Sequence, residues 1–218
     1  MLTSAWPLFG LELRRQDLVL RPPTDADFPA LLDAIDSGIH PPEVMPFSQP
    51  WTDAAPAVRR RAALQFWWRG RATWTPQQWN LLLLVERDGQ AVGVQEVFAR
   101  QWDVLRQVGT GSWLTRSAQG QGVGKQMRTA VLDLAFHHLG AVRAHTEAFA
   151  DNAASAGVSR ALGYRPNGSS WEAPRGTPQE LLGFVLDRAD WLARGAPETQ
   201  VMGLDACLPD FGLGVSTP

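Results

Sequence analysis

Between the apolar run that ends at Leu114 and the apolar helical pattern under way by Met127, the chain reads Ser112-Trp-Leu-Thr-Arg-Ser-Ala-Gln-Gly-Gln-Gly-Val-Gly-Lys125, with glycine at 120, 122 and 124. Such a stretch has few ways to fold: a strand runs into a tight turn, and the turn opens a helix near Val123. Glycines lack the Cβ atoms that would hold a ligand away, and successive backbone N–H groups line the turn beside the positive end of the helix. A pyrophosphate would sit well there. Glycine content alone leaves a plain strand-to-helix connection equally open.

Spacing excludes two other phosphate sites. A nucleotide-triphosphate loop requires glycine, four residues and then Gly-Lys-Ser/Thr, whereas here Gln119 stands at the first glycine and Gln126 at the magnesium-binding hydroxyl. A dinucleotide fingerprint follows an opening parallel strand. This turn instead follows a run of short strands late in the chain.

Those strands read as Asn80 to Glu86, an Asp88-Gly89 turn, Ala91 to Ala99 and Leu105 to Leu114, an antiparallel meander. Earlier, Leu11, Leu13 and Leu18 to Leu20 mark extended segments that Pro22-Pro23 stops. Thr24 with Asp27 caps a helix over about Asp25 to Ser37. Gly38 ends it, and the four prolines between His40 and Thr52 demand a loop of the length often used for binding. Asp53 is expected to cap a second helix, about Ala54 to Arg69, with Val58, Leu64 and Trp68 on one side and Arg59 to Arg61 on a solvated face. After the glycine turn a helix extends from Gly124 to Leu139, closed by Gly140, and leads into a strand from Ala141 to Phe149. Asn152 caps a further helix to Leu162, and two last strands lie near Trp171 and at Leu181 to Leu186. From Gly195 the sequence reads as a tail with little regular structure.

At 218 residues, 44% hydrophobic and 19% charged, the chain suits one large domain. A net charge of −2 and a pI near 6.1 argue against nucleic acid or an anionic membrane surface as partner. The lone Cys207 reads as a bystander, and no Cys/His cluster has metal spacing, so no metal is expected. The amino terminus has no basic region followed by an apolar run, and Leu81 to Val85 is too short to span a bilayer, so a cytoplasmic protein is expected. Three of the ten tryptophans, Trp67, Trp68 and Trp74, crowd into one segment and read as core or interface anchors.

Gln119, Gly122 and Gly124 satisfy the pattern Gln/Arg-x-x-Gly-x-Gly/Ala, and a second segment follows as Asp151-Asn152-Ala-Ala-Ser155-Ala-Gly-Val158-Ser-Arg-Ala-Leu-Gly-Tyr164. Together they resemble the two linked signatures of the GCN5-related N-acetyltransferase (GNAT) superfamily. Leu18 to Phe28 and Gly111 to Leu114 are similar to its ribosomal-protein amino-terminal acetyltransferase branch, so the resemblance covers about Leu11 to Trp191. It implies an α+β fold: a mixed, mostly antiparallel sheet of about seven strands, flanked by helices and splayed into a CoA-binding cleft. The domain would span residues 11–194, with 195–218 as the tail.

The resemblance also implies roles. Backbone groups of Trp113, Leu114 and Thr115 would bond the pantetheine arm, and Gln119, Gly120, Gln121, Gly122, Val123, Gly124 and Lys125 the pyrophosphate. Asn152 and Ser155 would lie near the thioester. An amine attacks the thioester carbonyl directly, with no acyl-enzyme, and an acid protonates the leaving thiolate. Many members use tyrosine for that step, but the only one here, Tyr164, comes too late in the second signature. Ser155 is therefore the candidate acid, although its hydroxyl would also suit a bond to the preceding helical turn. For the base, counting from the ribosomal branch lands on Gln101; Asp103 nearby is the candidate, with a water or Glu96 as alternatives. His137, His138 and His145 read as structural.

The chain further resembles mycobacterial members that take succinyl-CoA, which implies succinyl-CoA in preference to acetyl-CoA as donor. Partners for the extra carboxylate would come from the arginines at 59 to 61, 69 and 71, from indole N–H groups, or from a helix start. The acceptor amine, whether a small molecule, a protein amino terminus or a lysine, is left open, as is oligomeric state, a homo-oligomer included. A binding module that kept the CoA site and lost the chemistry is the rival function.

Overall fold

The computed structural model describes residues 2–214, so Met1 and residues 215–218 of the expected tail lie outside the described residues. In chain order the elements are α1 (Leu2–Ala5), β1 (Glu12–Arg15), β2 (Leu18–Arg21), α2 (Phe28–Asp36), α3 (Pro56–Ala72), β3 (Trp79–Arg87), β4 (Gln90–Ala99), α4 (Trp102–Leu105), β5 (Gln107–Leu114), α5 (Val123–Asp133), β6 (Arg143–Phe149), α6 (Ala153–Ala161), β7 (Arg165–Glu172), β8 (Gln179–Asp187), α7 (Arg188–Leu192), β9 (Gln200–Met202) and α8 (Leu204–Cys207). The strands form one sheet in the order β7-β8-β6-β5-β4-β3-β2-β1-β9. Only β5 and β6 run parallel. The fold is the expected α+β type, with nine strands rather than about seven.

Alternation along the central strands creates two cores. On β3, Leu81, Leu83 and Val85 face α5 and its Val123, Met127 and Val131, whereas Leu84, with Val94 of β4, faces α2 and α3. The helix α2 follows its expected cap: Asp27 accepts hydrogen bonds from both N–H and hydroxyl of Thr24 at 2.7 and 2.8 Å. The phase of α3 differs from expectation. Trp67 and Ala63 are its buried residues, while Val58 and Trp68 are 60% and 46% exposed. Trp67 stacks on Phe28 with ring centroids 5.0 Å apart, and Arg59 and Arg60 reach Asp36 of α2, which together set the rotation. Asp53 caps nothing; its carboxylate is held by Arg175. At its far end α5 widens into a π-helical turn, Leu134–His138.

The tail expectation is overturned. Thr199 donates to the buried Asp133 at 2.6 Å, β9 pairs with β1, and Cys207 and Phe211 are fully buried. Trp74 and Trp102 each donate an indole N–H, to Asp210 O and Phe211 O at 2.8 Å, and Phe211 packs edge-on to Trp74 and Trp79. Gly and Pro in this stretch turn a chain whose aromatic content is nevertheless committed to the core. Cys207 is thus a core residue rather than a bystander, and burial pushes its thiol up to about 11. Among the described residues no helix is long and apolar enough to cross a membrane.

Candidate active site

The parallel pair at the centre of the sheet comes apart. The strand β5 stays paired with β4 from Phe98↔Gly109 to Gly93↔Leu114, but it meets β6 only at Gln107↔Arg143, Val108↔Ala144 and Gly109↔His145. Beyond that point β6 follows β8 as far as Phe149↔Leu181. The two strands splay, and a cleft of about 970 Å³ opens between them. A side chain bridges the apex, where Thr146 Oγ1 donates to Thr110 O at 3.1 Å. A Cβ at position 109 would stand 2.2 Å from the Phe98 ring and 2.7 Å from His145 Nε2, so glycine there lets those two rings meet against the strand.

Antiparallel pairing turns alternate residues of β5 toward β4. Thr115 N–H donates to Val92 O at 2.9 Å and the Gln95 amide holds Gly111 O at 2.9 Å, so residues 111, 113 and 115 face β4. The N–H groups of Ser112 and Leu114 therefore face the gap, at the spacing of a strand edge that can take an extended chain. Past β5, Gln119 Nε2 donates to Leu114 O and Ile39 O at 3.0 and 2.6 Å, a strut that fixes the turn. Gly120 and Gly122 hold φ of +72° and +81°, conformations that side chains rarely adopt. Among the described residues, the N–H groups from Gly120 to Gly124 donate to no backbone carbonyl. Successive N–H groups of this kind at a helix start are the type of concavity that can take an anion. Lys125 also lines the cleft.

The facing helix α6 starts at Asn152, whose Oδ1 accepts the Ser155 N–H at 3.1 Å as expected for a cap. Ser155 lines the cleft, and among the described residues its hydroxyl has no protein partner; it is Ser159 that bonds back along the helix, to Ser155 O.

On the other face of the sheet, β4 places Val94, Glu96 and Phe98 toward α2 and α3. Glu96 stands opposite Gly111, with a carboxylate oxygen 3.6 Å from where a Cβ of that glycine would be. Among the described residues its carboxylate has no hydrogen-bond partner, and burial pushes it up to about 7. Phe98 and His145 meet edge to face beside it, and burial lowers the His145 ring below its ordinary value, leaving a neutral imidazole. The proline-rich loop closes this side with His40, Val44 and Phe47. His40 Nε2 accepts from Thr52 Oγ1 at 2.7 Å, and Arg175, on the turn between β7 and β8, grips Asp53 and Pro42 O.

Of the residues expected at the site, Trp113, Leu114, Gln119, Gly120, Gly122, Gly124, Lys125, Asn152 and Ser155 line this one cleft. Thr115 and Val123 are buried in the wall behind it, and Gln121 is turned outward to Ser117 O and Arg87. Asp103 is exposed on α4, before β5 begins, and does not line the cleft. Gln101 and Arg106, the residues that flank that short helix, each hold a φ of +49°. Arg128 lines the cleft and was missed. Its signal was its place on the inward stripe Gly124, Arg128, Val131, Ala135, where an apolar residue is the norm.

The splayed sheet, the glycine turn and the flanking helices define an α+β acyltransferase domain. The acetyltransferase (GNAT) domain family matches residues 17–165, and the chain belongs to that family. Solved structures share the fold at low identity. Mycobacterium smegmatis RimJ in complex with a CoA disulfide is 20% identical with a TM-score of 0.64, over 87% of this chain and 95% of that one. The Salmonella typhimurium acetyltransferase that modifies the amino-terminal serine of ribosomal protein L7/L12 is 18% identical with a TM-score of 0.63, over 79% and 96% of the two chains. RimL, a ribosomal L7/L12 α-N-protein acetyltransferase solved with CoA, is 17% identical with a TM-score of 0.61, over 81% and 97%.

Proposed function

We propose that the protein is a cytoplasmic CoA-dependent N-acyltransferase that moves an acyl group to a primary amine by direct attack, with Glu96 rather than Asp103 as general base. The unpartnered Glu96 carboxyl, held near 7 beside Gly111, carries this reading. The pyrophosphate would lie on the N–H groups of residues 120–124 beside Lys125. The pantetheine arm would pair with Leu114 and Ser112, and the thioester would come to rest at the apex. Glu96 takes the proton of the incoming ammonium, the amine attacks the carbonyl carbon, and the C–S bond breaks. The Ser155 hydroxyl is placed to hydrogen-bond the departing sulfur.

Matching of proton affinities favours one acceptor type. An α-amino group, with pKa about 8, lies about one unit above Glu96, whereas a lysine lies more than about three above it. Transfer from an amino terminus is thus nearly balanced, which also agrees with what RimL and the Salmonella enzyme modify.

For the donor, we read succinyl-CoA as preferred over acetyl-CoA, on the resemblance given above. None of the expected arginine partners lines the cleft; Arg59 and Arg60 bind Asp36, and Arg71 binds Asp25 and Pro23 O. Trp113 lines the cleft, and its indole is the better candidate. Thiol release with a panel of amino-terminal peptides and lysine-containing peptides, run with each donor, tests the reading. Turnover is expected with amino-terminal amines, with higher kcat/KM for succinyl-CoA. Tight CoA binding without turnover on any amine would instead favour the binding module.

A further inference from the structure

Arg128, on the second turn of α5, is only 4% exposed, and the sliver that shows faces the apex of the cleft. Among the described residues no carboxylate pairs with it. Its Nη1 reaches Thr146 Oγ1 at 3.3 Å and its Nη2 reaches Ser112 Oγ at 3.5 Å, both long, and its Nε has no partner. The buried Tyr164 hydroxyl lies against it and against the buried Thr110 hydroxyl. Asp133, the acid farther along the same helix, is committed to Trp191 and Thr199 and lies near Arg15. Glu96 and Glu147 stand on the opposite face of the sheet. Burial lowers the guanidinium's pKa, yet arginine keeps its charge in proteins. A buried cation with only hydroxyl company is costly in a helix face otherwise made of Val123, Met127 and Val131. Its charge is matched when an anion forms at the apex.

The reading of the cleft as an acyl-CoA site, on which this inference rests, says which anion that is. An extended arm running from the glycine turn past Leu114 and Ser112 brings its reactive end to Thr110. The acyl carbon must face Glu96 and the amine on the α2 and α3 side, so the sulfur is left on the α5 side, where Arg128 is. We propose that Arg128 supplies the fixed positive charge against which the CoA thiolate forms as the C–S bond breaks. The electron pair of that bond goes to sulfur; Glu96 takes one proton as the ammonium becomes the attacking amine, and the second proton, shed by the nitrogen as the tetrahedral adduct collapses, passes through solvent to the departing thiolate, directly or by way of Ser155. Arg128 gives up no proton. A preorganised charge in a water-poor site acts on the developing anion with no reorganisation at the moment of reaction.

The test compares calorimetric binding of CoA and desulfo-CoA between pH 6 and 9, in the wild type and in Arg128→Met and Arg128→Lys. In the wild type, CoA should gain affinity over desulfo-CoA as pH rises and the thiol ionises. That gain should vanish in Arg128→Met and partly return in Arg128→Lys, with desulfo-CoA affinity unchanged throughout. In turnover, Arg128→Met should lower kcat about a hundredfold for acetyl-CoA and succinyl-CoA alike, with little change in donor KM. A wild type showing no pH-dependent preference for CoA overturns the proposal even if Arg128→Met fails to fold. A loss confined to succinyl-CoA also overturns it, and assigns Arg128 to the donor's carboxylate instead. Failure of the wild type to bind either compound removes the acyl-CoA reading itself, a distinguishable result.

Discussion

On the α5 side of the splayed strands the cleft presents the backbone N–H groups of residues 112, 114 and 120–124, all within a dozen residues of one another, beside the side chains of Lys125, Arg128 and Ser155. On the α2 and α3 side it is lined by side chains from four separated segments: the loop around His40 to Phe47, Phe98 of β4, Trp113 of β5, and His145 and Glu147 of β6, with Glu96 opposite Gly111 behind them. The first wall is a local structure, held by glycine conformations and one glutamine strut. The second exists only because the sheet and the Arg175 grip bring distant segments together. Backbone recognition suits a common cofactor arm, and assembled side chains suit a variable acceptor. Changes on the second wall should therefore affect chemistry and acceptor choice, while changes on the first should affect cofactor binding.

The largest effect is expected from Glu96→Gln. Loss of the base should lower kcat by about a hundredfold or more, abolish the rise of kcat/KM with pH near 7, and leave CoA affinity unaltered in calorimetry. The same variant carries a stability signature of definite sign. Because folding raises the Glu96 pKa from its ordinary value to about 7, the folded state binds that proton more tightly, and wild-type stability falls as pH rises across this interval. Glutamine has no such loss, so the melting temperature of Glu96→Gln relative to wild type should be higher at pH 8 than at pH 5. An unshifted pH profile in a folded variant would return the role of base to a water.

A smaller effect, on binding alone, should follow Gly122→Glu, which puts bulk and negative charge at the anion site on a φ of +81°. CoA affinity should fall at least about tenfold, with a modest drop in melting temperature from the strained backbone. Unchanged CoA affinity in a folded protein would mean that the phosphates lie elsewhere, and would break the division between the two walls. The smallest effect is expected from Arg175→Ala. Its bonds to Asp53 and Pro42 O are exposed, so stability should hardly change. Freeing the proline-rich loop should raise the acceptor KM a few-fold and leave the donor KM alone. An equal rise in both would show that the loop also covers the cofactor.

The donor wall was legible because its determinants are local. Turn geometry at Gly120 and Gly122, the Asn152 cap and the Thr24–Asp27 cap depend on neighbours a few residues away, and residue type plus spacing specifies them. The amphipathic alternation of β3, β4 and α5 likewise announced a sheet with a helix on it.

What only the tertiary structure decided is everything that depends on burial between distant segments. Counting along the chain landed on Gln101 and made nearby Asp103 the candidate base ahead of Glu96, because spacing cannot see that Asp103 is exposed on α4 while the β4–β5 register sets Glu96 against Gly111. The phase of α3 followed from Trp67 finding Phe28. The carboxyl-terminal segment looked irregular because glycine and proline report backbone freedom, whereas Trp74 and Trp102 at distant positions supply the donors and rings that hold Phe211. The sequence by itself determined where the glycine turn and the Asn152 and Thr24–Asp27 caps would be, since those obey short-range sterics and hydrogen bonding. The tertiary fold alone decided which charged groups are desolvated, because burial of Glu96 and Arg128 is a property of the assembled surroundings and of no stretch of sequence.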